Sequence, residues 1–148
     1  MVCTFFGHAH VPSCVENELH KVLLDCIVNK KADAFYVGNQ GAFDAMVRKQ
    51  LQDLQKEYNI RYSVVLAYRP VRTNEYEDYT DTIFPEELAF VHPRYAIAKR
   101  NEWMLKRSDC VITYVTATIG GAAKYKALAE KKKKVVINLA EKVLSQKR

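Results

Sequence analysis

Short apolar runs alternate along this chain with stretches whose apolar residues recur at helical spacing, and that alternation constrains the fold more than any other feature. Val2–Phe6, Ala34–Val37, Arg61–Ala67, Cys110–Val115 and Val135–Leu139 are the runs, and they are rich in β-branched and aromatic residues. After the first, Val15, Leu19, Val22, Leu23, Cys26 and Ile27 fall on one side of a helix, and after the second so do Phe43, Val47, Leu51, Leu54 and Tyr58. Further helices are expected over Arg94–Arg107, Gly121–Lys131 and Glu141–Gln146. Strand–helix–strand units require right-handed crossovers and a parallel sheet covered on both faces. The expected fold class is therefore α/β, a Rossmann-like three-layer sandwich with about five mostly parallel strands in the order 3-2-1-4-5. That order reverses beside the first strand, which opens a crevice at the carboxyl ends of the strands. The turns after Phe6 and Val115 line it.

Local signals refine this reading. Ser13-Cys14-Val15-Glu16, preceded by Pro12, has the form of a capping box and marks the start of the first helix. Val111-Ile112 and Val135-Val136-Ile137 are apolar throughout, as strands covered on both faces should be. The stretch from Tyr68 to Pro93 holds Pro70, Pro85, Pro93 and six carboxylates with little periodicity, and reads as a long loop, a lid or an oligomer contact. The 148 residues suit a single domain over 1–148 with this loop at about 68–93.

Composition narrows the class. The hydrophobic fraction of 49% supports a core, and no apolar run is long enough to span a membrane. No basic segment precedes the apolar start, so a signal peptide is not expected. Cys3, Cys14, Cys26 and Cys110 include no CxxC pair, and a cytoplasmic, disulfide-free protein is expected. The net charge of +6 is unevenly spread. Residues 1–93 carry 9 basic and 13 acidic side chains, a net of −4, and residues 94–148 carry 14 and 4, a net of +10. A basic half attracts phosphates.

Several residues are placed to bind an anion or a nucleotide. Gly120-Gly121 joins a buried strand to a helix, where free amides and the helix dipole favour phosphate, and Thr116 and Thr118 can add hydroxyls. Gly7 and His8 follow the first strand, with His8 as a hydrogen-bond donor to the pocket. Gly38-Asn39-Gln40-Gly41 follows the second strand. Asn39 and Gln40 can read polar edges, and Asp44 can bind a ribose hydroxyl or cap its helix. Arg100, with Asn101, can clamp a phosphate. His8-x-His10 with Cys14 lacks a second cluster of ligands, so no metal site and no cofactor are expected. No nucleophile–base or paired-carboxylate constellation can be placed.

Taken together, Phe5-Phe6-Gly7-His8, Tyr36-Val37-Gly38-Asn39-Gln40-Gly41 with Phe43-Asp44, Arg100-Asn101-x-Trp103-Met104, Ser108-Asp109 and Gly120-Gly121-Ala122-Ala123 resemble the Rossmann-like proteins of the SLOG superfamily, in its stand-alone bacterial and phage branch. The resemblance runs from about Val2 to Leu139. It implies a nucleotide or nucleotide-derived ligand. It also implies kinship with LOG-type (lysine-decarboxylase-like) phosphoribohydrolases, whose signatures are R-K-x-x-M and P-G-G-x-G-T-x-x-E. Arg100 and Met104 match the first, with Asn101 in place of its lysine. Gly120 and Gly121 match the second, but Ile119, Ala123 and Lys124 replace its proline, third glycine and threonine, and Ala127 stands where the catalytic glutamate belongs. Ala9 stands where relatives often carry arginine.

The binding features survive and the acid does not. The first expectation is therefore a binding module for a nucleotide or nucleotide-derived small molecule, acting as a sensor or by sequestration. The second is a nucleoside-monophosphate N-glycosidase using another acid, with Asp44, Glu102 and Arg100 as its catalytic candidates. The third is a nucleic-acid or protein interaction domain. Nucleic acid and membrane are not the expected partners, and the resemblance allows a homo-oligomer.

Overall fold

The computed structural model describes residues 1–69 and 81–146. In chain order these form β1 (Val2–Gly7), α1 (Val15–Val28), β2 (Ala34–Val37), α2 (Gly41–Leu54), β3 (Arg61–Val65) and β4 (Thr82–Ile83). Two single 3-10 turns, Glu86–Leu88 and Pro93–Tyr95, lead into α3 (Ala96–Lys106). Then come β5 (Cys110–Tyr114), α4 (Gly121–Lys131), β6 (Val135–Asn138) and α5 (Leu139–Gln146).

The strands make one parallel sheet in the order β4-β3-β2-β1-β5-β6, with Phe5 opposite Ile112 and Thr4 opposite Tyr36. The fold is Rossmann-like, and the five expected strands stand in the expected order. A sixth, β4, lies inside the stretch read as loop. Two residues are too few to show a period, and β4 is recruited by the open edge of β3, where Val64 and Leu66 donate their amides to Asp81 and Ile83 (2.8 Å each). Residues 70–80 of the expected loop lie outside the described residues.

Alternation along the strands divides the core in two. Phe5, Val64, Cys110 and Ile112 face α1, α2 and α5, whereas Phe6, Val65 and Val111 face α3 and α4. The strand at the β6 edge departs from expectation. With a neighbour on one side only, it leaves Val135 51% exposed despite its apolar sequence. The capping box does not form either. Backbone carbonyls serve the entry to α1 instead, with Pro12 accepting from Val15 and Ser13 from Glu16 (3.1 Å each). No helix of the described residues is long and apolar enough to cross a membrane.

Candidate functional site

The chain passes from β1 to β2 on one side and later returns to β5 on the other, so the loops leaving β1 and β5 diverge. Between them lies a crevice of about 390 Å³. Of the residues singled out in the sequence, Gly7, His8, Gln40, Gly41, Asp44, Arg100, Asn101 and Gly121 line it. Gly38, Asn39, Thr116, Thr118 and Gly120 do not line it.

The first wall is tightly built. A Cβ at Gly7 would lie 2.2 Å from the Phe43 ring, so only glycine lets α2 pack against the end of β1. His8 Nε2 accepts the Thr116 amide (2.9 Å), which ties the β1 loop to the β5 loop. That nitrogen is therefore an acceptor used within the protein, and only Nδ1 of a neutral ring remains to donate. The Thr116 backbone thus ties the two loops together, and its residue is exposed.

The second wall is the Gly38–Gly41 turn. Gly41 has φ +88° and its Cα packs on Ala9, whose carbonyl accepts the Ala42 amide (2.8 Å). Asp44 Oδ2 accepts the Gln40 amide (3.0 Å), so the carboxylate caps α2. Burial pushes the Asp44 carboxyl above its ordinary range, against the opposing pull of that hydrogen bond and of Arg100 and Arg48. Asn39 does not line the crevice. Its Oδ1 accepts from Arg100 Nη1 (3.4 Å), so it positions the arginine.

Arg100 dominates the site. Ile97, Arg100, Asn101 and Met104 recur at positions i, i+3, i+4 and i+7 of α3 and form one stripe facing the crevice. Arg100 is only 2% exposed. Its Nε donates to Asn101 Oδ1 (2.9 Å) and its Nη1 to the Val65 carbonyl (3.3 Å). Among the described residues it makes no ion pair. Burial lowers its proton affinity and nearby Asp44 raises it, yet a guanidinium keeps its charge in a protein. The crevice thus contains a buried cation held by neutral acceptors.

The third wall is the start of α4. Gly120, at φ +111°, is its N-cap and no side chain caps the helix. Gly121 and Ala122 line the crevice, and nothing lies within 4 Å of where a Cβ would stand at Gly120 or Gly121. Among the described residues no hydrogen bond engages the amides of Gly121, Ala122 and Ala123, at the positive end of the helix dipole. Glu102 is turned away. It pairs with Lys99 (3.4 Å) and borders a separate groove with Trp103 and Arg107. Ala127 is exposed on α4 and does not line the crevice. Of the three catalytic candidates, Asp44 and Arg100 come together and Glu102 does not.

Sequence reasoning missed the apolar floor of Phe5, Phe6 and Met104, and Ile97 and Ala122 at the sides. It also missed a buried cluster elsewhere. The sulfurs of Cys3, Cys26 and Cys110 lie within 4.8 Å of one another, and these residues, not His8, His10 and Cys14, are the metal-capable group among the described residues. Hydrogen bonds to Cys110 and Cys26, with burial, push the Cys3 thiol up, while bonds from Cys110 and Cys3 pull Cys26 down to about 4. Cys3 and Cys110 are register partners on adjacent strands, a relationship invisible at their separation in sequence.

No protein-family model matches this chain, and no curated protein does. A solved structure does. DNA processing protein A from Helicobacter pylori, which has a unique single-stranded DNA binding mode, superposes with a TM-score of 0.59 at 12% identity, over 99% of this chain and 72% of that one. This neighbour overturns two expectations: that a nucleotide or nucleotide-derived small molecule is the principal partner, and that nucleic acid ranks last. Phosphate is gripped by backbone amides and guanidinium groups, which carry no sequence signature of the polymer behind the phosphate.

Proposed function

We propose that this protein binds single-stranded DNA at the carboxyl edge of its sheet, seating a backbone phosphate between Arg100 and the open amides at the start of α4. The observation that carries this reading is Arg100, a buried guanidinium with no carboxylate at ion-pair distance among the described residues, lining an open crevice. Asp44 lies nearby but outside ion-pair distance, so the cost of burying the cation is only partly offset, and a phosphate supplies direct pairing with bidentate geometry. The basic half of the chain, net +10 over residues 94–148, supports approach of a polyanion. The likeness in fold to a protein that binds single-stranded DNA supports the same reading. Gly7, His8, Gln40, Gly41, Asn101 and Gly121 border the phosphate in this proposal, with Asn39 holding Arg100 from behind and the bare Cα of Gly38 leaving it room. Membership of the SLOG superfamily belongs to it as well, resting on the motifs that converge here.

Fluorescence anisotropy with a labelled oligothymidine and a duplex of equal length tests the proposal. The single strand is expected to bind more tightly, with log K falling linearly as log salt rises. Absence of binding to either DNA at about 50 mM salt and micromolar protein overturns it.

A further inference from the structure

The step between β4 and α3 carries a group that the crevice does not use. Tyr95 is 54% exposed, although tyrosine has a large apolar ring. Two neighbours hold it, His92 edge-on and Arg94 over one face. The His92 ring meets it at 6.2 Å and 61°, and the Arg94 guanidinium carbon stands 5.7 Å from its centroid. The backbone beneath is set by Pro93, by the Tyr95 amide bonded to the His92 carbonyl (2.8 Å), and by His92 Nδ1 accepting the Arg94 amide (3.1 Å). Tyr68, 42% exposed at the end of β3, donates its hydroxyl to the Pro93 carbonyl (3.2 Å) and joins the same rim.

We propose that Tyr95, braced by His92 and Arg94, is a nucleobase-stacking subsite at the rim of the crevice. This rests on the single-stranded DNA reading above. An aromatic ring left half in water but fixed by its neighbours offers a flat face with little conformational freedom left to lose. Every base has a π-face, so such a platform serves single strands of any sequence. Bases in a duplex are already stacked, so the platform selects unpaired strands. Continuity with the crevice favours a nucleic acid as the occupant. Arg94 and Tyr95 lie in the 3-10 turn that leads into α3, three and two residues before Ile97, which lines the crevice, and both are exposed. A strand with a phosphate at Arg100 therefore meets a second cation and a stacking ring as it leaves the crevice.

The test compares a labelled oligothymidine with an abasic strand of the same length, which keeps the phosphates and lacks the bases. Wild-type protein is expected to bind oligothymidine about tenfold more tightly than the abasic strand. Tyr95→Ala should bind both strands equally with an unchanged salt slope, and Tyr95→Phe should keep the wild-type preference. Equal binding of the two strands by wild type, or a wild-type preference in Tyr95→Ala, overturns the subsite while leaving the phosphate reading intact. Binding of neither strand overturns both.

Discussion

Asp44 Oδ2 and Arg100 Nη1 converge on the same point beside Gly38: a Cβ there would stand 2.7 Å from the carboxylate and 2.8 Å from the guanidinium. The two groups approach without forming an ion pair, and the bare Cα of Gly38 lets both reach that side of the turn. The crevice thus holds a cation whose nearest acid is engaged in capping α2.

Gly38→Ala is the direct probe of this arrangement. The new methyl must displace one of two charged groups in a packed site, so a loss of about 1–3 kcal/mol in stability is expected. Urea unfolding measures it as a lower midpoint with unchanged slope. A midpoint equal to wild type would show that the site yields freely.

Arg100→Met should separate binding from stability. It leaves three hydrogen-bond acceptors and the buried Asp44 without the cation, so the protein should still fold with a loss of about 1–3 kcal/mol in stability. Single-stranded DNA binding should fall about tenfold or more and the salt slope should shrink by about one. Thermal melting and anisotropy on the same preparation check both halves, and retained affinity would refute the role given to Arg100.

Asp44 sets a pH dependence of known sign. Burial raises its folded-state pKa above the unfolded value, so the folded chain holds the proton over a pH range where the unfolded chain has lost it. Its contribution to stability is full below the unfolded value of about 4 and is lost as pH rises through the raised folded value. The difference in Tm between Asp44→Asn and wild type should therefore grow in the variant's favour from about pH 4 upward. A difference independent of pH would mean that the carboxyl is not perturbed by folding.

The thiols give a check on the core. Of four cysteines, Cys14 is exposed while Cys3, Cys26 and Cys110 are buried. A thiol reagent should modify one group per native chain quickly, with the other three reacting only after denaturant is added. Rapid reaction of more than one would mean that the core opens readily.

The binding residues were easier to identify by type than by role. Gly120-Gly121, Gly41 and Arg100 could be singled out because backbone freedom and charge are properties of the residue itself. The uses of His8, Asn39 and Thr116 could not, since each contact joins loops far apart in sequence: His8 to Thr116, and Asn39 to Arg100. Glu102 and Asp44 looked alike as carboxylates, yet the helix carrying Glu102 turns it toward a different groove and the burial of Asp44 follows from its turn packing under Arg100.

The sequence by itself determined the succession of strands and helices, the parallel sheet and the edge on which the loops gather. Those follow from periodicity along the chain and from the handedness of crossovers, both local in origin. Only the tertiary structure decided that β4 pairs at the edge, that β6 leaves Val135 half in water, and that Arg100 is buried without an ion pair among the described residues, beside a helix start with no side-chain cap. Burial and electrostatic partnership depend on which distant groups share a volume, and that is settled when the layers pack.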